Sequence, residues 1–306
     1  VKRTKLVAGI AALPLLGGVA LSTAPIAQAA VNGCAAQKLF EVGGAGDGTG
    51  KVYDAYNKTL PNGVEAEKVV YSGDLVPLTG TKFLDEAVAE GVANVERAVR
   101  AFHAACPGSR ISVVGYSEGA LVAGNALENL AKATDVPHDL VDGVLYGDPR
   151  RPGVAGAGLN GGAGGLMGTI PTFLPKTSMQ GVRKPFTAFP VRTICKQNDA
   201  ICNSENPITN LVAFLNGWAG YLSGDHGYDI NPLRDAGSGD LFIRQAPKVP
   251  YGQPLPVPSP TPWQLFNGNF ELSQQFVRGL RDLARTVAPP QLWRELTTRF
   301  PWLERL

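Results

Sequence analysis

Gly115-Tyr116-Ser117-Glu118-Gly119 sets a serine between two glycines, after a β-branched run at 110–114 and before apolar residues at helical spacing (Leu121, Val122, Leu127, Leu130). A serine on a sharp strand-to-helix turn holds its hydroxyl above the sheet, and glycines two residues away on either side let the backbones cross closely. The following helix aims its positive end at the same point, which favours a developing oxyanion. The chemistry such a turn serves is acyl transfer. A serine hydroxyl also needs a base, and the chain has only three histidines. His103 falls inside a helical pattern upstream of Ser117, and His138 follows Pro137 at the start of a strand. His226 lies late in the chain, in the turn-rich 224–228, and alone fits the order serine, acid, histidine. The acid must orient the imidazole and stabilise its charged form. Asp199 is preferred, because a loop clamped between Cys195 and Cys202 would hold the carboxylate rigidly; Asp148, at another strand end, is the rival. Asp225 adjoins the histidine and could hardly reach across its ring.

Positioning these groups requires a sheet. The pattern predicts strands at 38–42, running into the glycine-rich turn 43–48, and at 68–71, 110–114 and 141–146, with a last one at 189–195. Val88, Val92, Val95, Val99 and Phe102 form one buried stripe of a helix that Pro107 and Gly108 end. Alternating strands and helices imply a parallel, doubly wound α/β sheet.

The 306 residues are 44% hydrophobic and 18% charged, enough for one main domain with additions. Residues 1–30 have a basic start, an apolar stretch and an Ala27-Gln28-Ala29 cleavage pattern, which reads as a secretory signal; an uncleaved anchor is the alternative. Without Lys2, Arg3 and Lys5 the basic residues number 25 against 26 acidic ones, so no electrostatic footprint for nucleic acid remains. Four cysteines in an exported chain are expected to form two disulfides, with three pairings open; no zinc-type spacing is present, and neither metal nor organic cofactor is implied. Within the main domain, 31–245, the Gly- and Pro-rich stretch 150–190 carries Leu166, Met167, Ile170, Phe173 and Leu174 and reads as a lid or a surface excursion. Seven prolines between 247 and 262 make 246–263 a stiff linker. Residues 264–306 form an amphipathic helical extension that packs on its own domain or contacts lipid or a partner.

Taken together, Cys106-Pro107, the strand, Gly-Tyr-Ser-x-Gly-Ala, Cys195-x-x-x-Asp199-x-x-Cys202 and His226 resemble the cutinase family between about Cys34 and Tyr228. Residues 147–153 are similar also to actinobacterial PE-PPE-type hydrolases and phage mycolyl esterases. The resemblance implies an α/β-hydrolase, a three-layer sandwich around a mostly parallel sheet. It implies a triad of Ser117, Asp199 and His226, and disulfides Cys34–Cys106 and Cys195–Cys202. Two departures stand out. Glu118 occupies a position where cutinases usually have Gln, setting a carboxylate beside the site that would disfavour anionic substrates. Ala45 replaces a hydroxyl residue of the oxyanion hole, leaving the backbone amides of Glu118 and Ala45 as donors; losing one donor costs on the order of 100-fold in turnover.

The expected activity is that of a secreted, monomeric serine esterase, extracellular or at the cell envelope, acting on lipid or polyester esters. The apolar 150–190 stretch suggests a lipid-like acyl chain. Acyl transfer to a sugar hydroxyl uses the same residues, and a non-catalytic envelope binder is the reading of a different class.

Overall fold

The computed structural model describes residues 33–248 except 77, 154–163, 171, 173–174 and 208–209, together with 285, 293–294 and 297–298. Among the described residues six strands form one sheet, wholly parallel, in the order β2-β1-β3-β4-β5-β6: β1 (Gln37–Val42), β2 (Val64–Lys68), β3 (Arg110–Tyr116), β4 (Val141–Tyr146), β5 (Val191–Lys196) and β6 (Gly239–Ile243). The chain starts at β1, next to one edge, adds β2 outside it, then returns to β3 and steps outward to β6 at the other edge.

Both faces are covered, because alternate residues of the central strands point to opposite sides and nearly all are apolar. Phe40, Val42, Ile111, Val113, Leu145 and Val191 meet helices α2 (Leu84–Ala105) and α3 (Glu118–Leu130). Val114, Val144, Tyr146 and Ile194 meet Tyr53 and Ile230 on the other face. The buried stripe of α2 includes Val88, Val95 and Val99, as its spacing predicts. The short helices α1 (Asp54–Asn57) and α5 (Pro232–Asp235) close the second face. Between β5 and β6 lies α4 (Leu211–Gly220). Among the described residues no helix is long and apolar enough to cross a membrane.

Three expectations shift. The second strand runs over Val64–Lys68 rather than 68–71: its Val-Glu-Ala-Glu-Lys alternation suits an exposed edge, and the apolar residues beyond it leave the ladder after Val69 N–H donates to Glu41 O at 2.9 Å. The 189–195 strand begins at Val191 and is not the last, for β6 pairs outside it. Met167 is buried in the main core, with Met179, Phe186 and Ala188 packed beside it, so the described part of 150–190 is anchored. Ion pairs hold it too: the fully buried Arg151 forks onto Asp240 of β6, and Arg183 Nε donates to Asp148 Oδ2 at 3.1 Å. Phe173 and Leu174, the linker 246–263 beyond Lys248, the signal 1–30 and nearly all of 264–306 lie outside the described residues.

The cysteines pair as Cys34–Cys106 and Cys195–Cys202. The first spans 72 residues and ties the chain ahead of β1 to the end of α2. Cys34→Ala/Cys106→Ala is expected to lose about 2–5 kcal/mol, because the unfolded chain regains a long loop's freedom. Urea denaturation of the double variant measures it.

Candidate active site

Ser117 has φ 58° and ψ −122°, a conformation that non-glycine residues rarely adopt. Such strain costs on the order of 1–3 kcal/mol and persists only where its surroundings enforce it. They do so here. A Cβ at Gly115 would lie 2.3 Å from Gly119 O, and one at Gly119 would lie 2.1 Å from Val42 O. The end of β1, the end of β3 and the first turn of α3 therefore cross with no room for a side chain, and Ser117 N–H is fixed to Tyr146 O at 2.8 Å. Gly44 faces the serine so closely that a Cβ there would sit 3.0 Å from Ser117 Cβ.

The acid and the histidine arrive from loops beyond β5. Asp199, fully buried inside the Cys195–Cys202 loop, accepts from His226 Nδ1 at 2.8 Å on Oδ2 and from the Ile201 amide at 3.0 Å on Oδ1. The imidazole rests on Gly147, which follows β4; a Cβ there would be 3.0 Å from His226 Cε1. Ser117 and His226 thus meet the same end of β4, one through Tyr146 and the other through Gly147. His226 Nε2 is buried without a hydrogen bond, so its nitrogen is not yet on the serine hydroxyl. Long or unformed catalytic hydrogen bonds are usual in ligand-free sites.

The rivals are occupied elsewhere. Asp148 serves Arg183 and the Arg150 amide, Asp225 accepts from Gln245 Nε2 at 2.9 Å, and His138 Nε2 faces the carbonyls of Leu130 and Ala133. His103 stays on α2. Of the two candidate oxyanion amides, that of Glu118 is the first in α3 and so has no partner within the helix. That of Ala45 lies in the turn beside Gly44, where Gly46 and Asp47 donate to Gly73 O and Gly44 O but Ala45 donates to no described group. The negative charge expected at Glu118 is absent near neutrality: the side chain is buried, and loss of solvent pushes its carboxyl up to about 8.

The chain belongs to the Cutinase family. The family's model matches residues 29–218, more than half the sequence and all of the strand–turn–helix around Ser117. A carboxylesterase homologue from Corynebacterium glutamicum is 31% identical over 142 residues, covering 42% of this chain and 46% of that protein. A cutinase from Trichoderma harzianum is 31% identical over 97 residues, covering 32% and 36%. The chain spans less than half the length of the curated relatives it matches. The catalytic core of an acetyl xylan esterase from Trichoderma reesei aligns with a TM-score of 0.40 at 21% identity, over 62% of this chain and 95% of that one.

Two contributors lie outside the sequence reading. Tyr228 donates its hydroxyl to Asp199 Oδ2 at 2.6 Å while accepting from the Lys196 amide at 3.2 Å, so Asp199 Oδ2 is bonded to two side chains, His226 and Tyr228. Burial pushes this phenol far up, and it stays protonated. Its signal was an aromatic hydroxyl two residues past the candidate base, in a loop with no periodicity to bury it. The other is α4, whose Gly217 and Gly220 sit on the loop of Asp199: a Cβ at Gly220 would be 2.1 Å from Asn198 O. Its partly exposed side presents Phe214 and Trp218, followed by Tyr221, whose ring centroid is 4.9 Å from that of His226. No acidic or basic residue occurs from 206 to 224. A groove of about 740 Å³ opens elsewhere, between α2, α3 and residues 178–180, and none of Ser117, Asp199 or His226 lines it.

Gly147→Ala is expected to cost more than about 1 kcal/mol, since φ is +64° there. It should also displace the imidazole from Asp199. Denaturation curves give the first effect and a crystal structure of the variant the second.

Proposed function

We propose that the protein is an exported serine esterase that hydrolyses carboxylic esters of lipid-like acyl chains through an acyl-enzyme. The observation that carries this reading is the convergence, at one end of β4, of the strained Ser117 and a His226 already bonded to Asp199. Ser117 Oγ attacks the ester carbonyl carbon while His226 Nε2 takes the hydroxyl proton; Asp199 keeps Nδ1 protonated and stabilises the imidazolium. The carbonyl π-electrons move onto oxygen, facing the amides of Glu118 and Ala45. Collapse expels the alcohol, which leaves with the proton from His226. Water then repeats the sequence and releases the acid.

Export is supported by the signal pattern at 1–30 and by two disulfides, which persist in oxidising compartments. The lipid-like substrate is supported by α4 rather than by the described part of 150–190, which is anchored. An uncharged, aromatic-bearing helix ends against the base, where an acyl chain could lie along Trp218 and Tyr221.

The test is turnover of p-nitrophenyl esters of increasing acyl length, with fluorophosphonate labelling alongside. The native protein should label, and should prefer medium or long acyl chains to acetyl. Ser117→Ala should lose labelling and drop turnover by on the order of 10⁴-fold or more. A folded native protein that neither labels nor turns over any ester would sink the reading, and preference for acetyl alone would sink its lipid part. Tyr228→Phe removes a hydrogen bond to a charged group, a loss of about 1.5–3 kcal/mol in the favourable case, so kcat should fall by roughly tenfold or more with KM little changed. Steady-state kinetics on one ester decides it.

A further inference from the structure

Glu118 supplies a backbone amide to the scheme above, but its side chain has no part in it. That side chain is 5% exposed, and both carboxyl oxygens are shut from solvent without a hydrogen bond. The titratable groups that face it are the Tyr71 phenol and, farther off, Asp74; neither supplies a positive charge. Tyr71 has one proton to give, and its hydroxyl donates to Gly43 O at 2.8 Å. An ionised Glu118 would therefore sit buried with no counter-charge, and its one neighbouring donor would be the Tyr71 hydroxyl that already serves Gly43, which makes ionisation costly. The neutral acid avoids that cost and carries a proton of its own, for which the Tyr71 oxygen is an acceptor.

Gly43 is not an incidental acceptor. It precedes Gly44, which leaves no room for a Cβ beside Ser117, and lies two residues before Ala45. We propose that Glu118 is a positioning residue for the oxyanion hole: as a neutral acid it leaves the Tyr71 hydroxyl to hold Gly43, and when ionised it draws that hydroxyl away. The bond exchange follows from strength, since a hydrogen bond to a carboxylate is roughly twice as strong as one to a neutral carbonyl. Ionisation sends the Glu118 proton to solvent. Tyr71 keeps its own proton, because burial pushes the phenol far up, and only re-aims it. Gly43 then loses its side-chain tether, and the Ala45 amide shifts within a turn still held by Gly46 N–H on Gly73 O and Asp47 N–H on Gly44 O.

The sign follows directly. The active form is the protonated one, and burial moves its carboxyl from 4.5 to about 8, so activity is intact below that pH and falls as pH rises through it. Stability changes the same way: between those values the unfolded chain gives up its proton first, so folding weakens as pH rises from about 4.5 to about 8.

The inference rests on the esterase reading, so fluorophosphonate labelling at pH 7 comes first and separates failure of that reading from failure of this one. Hydrolysis of a soluble ester is then followed by pH-stat from pH 6 to 9.5 for the native full-length protein, Glu118→Gln and Glu118→Ala. Glu41→Gln is the control, because Glu41 is a second buried carboxyl on β1, pushed up to about 7. The native kcat should fall by roughly tenfold between pH 7 and 9.5 and recover on return to pH 7. Glu118→Gln should vary less than about twofold over that range, because its amide N–H gives Tyr71 the neutral donor at every pH. Glu118→Ala should be slower than Glu118→Gln throughout, and Glu41→Gln should keep the alkaline fall. A native profile flat to pH 9.5, an alkaline fall that persists in Glu118→Gln, or its loss in Glu41→Gln instead would each overturn the proposal.

Discussion

The backbone at Ser117 is the constraint on which the rest of this molecule depends. A serine held at φ 58° is unfavourable by itself, and it is kept there by three segments that could not occupy their places if the chain relaxed. Gly119 lies against Val42 and Gly43, Gly115 against Gly119 and Ala120, and Gly44 against the serine itself. The parallel pairing of β3 between β1 and β4 fixes the levels at which these strands end. The apolar residues of α2 and α3 hold the helix layer against that sheet. Packing energy collected over the core thus appears as a local distortion at one hydroxyl.

Polar groups fix what the core cannot. The segment from His226 to Asp235 is tied at three points by tyrosines from the sheet or its own sequence. Tyr116 donates to His226 O at 3.1 Å, Tyr146 to Asp235 Oδ2 at 2.7 Å, and Tyr228 to Asp199. The short Cys195–Cys202 ring restrains the acid from the opposite side. On the far side of β5, Asp240 receives both Arg151 and the Thr193 hydroxyl, so the edge strand is fastened by charge as well as by its ladder. Arg151 and Asp240 are 89 positions apart, and only the finished sheet brings them together.

Much of this was legible because it is local. The run at 110–114, the glycines around Ser117 and the stripe of α2 are spaced within single elements, and they appear where the spacing puts them. The order of Ser117, Asp199 and His226 needed only chain order and the clamping cysteines. What escaped was set by distant partners. β6 has just five residues, two of them Gly239 and Asp240, and becomes a strand because β5 offers a free edge. α4 is apolar on nearly every side, so no periodicity reveals it; its small-residue face has meaning only against Asn198 and Ala200. Glu118 reads as a charge on paper. Its burial under Tyr71 depends on a loop nearly fifty positions upstream, and that burial reverses the expectation of a carboxylate facing substrate.

The place of α4 in the chain divides the protein's work. It is threaded between Asp199 and His226, yet each of those residues is secured by contacts that α4 does not supply: a disulfide ring and Tyr228 for the acid, Gly147 and Tyr116 for the base. The partly exposed side of α4 can therefore change its side chains while Ser117, Asp199 and His226 stay in register, whereas the Gly217 and Gly220 side, packed on Asn198 and Ala200, cannot. Under the proposed esterase reading, that exposed side beside His226 sets which ester is taken up, and a change there leaves the way the ester is broken untouched.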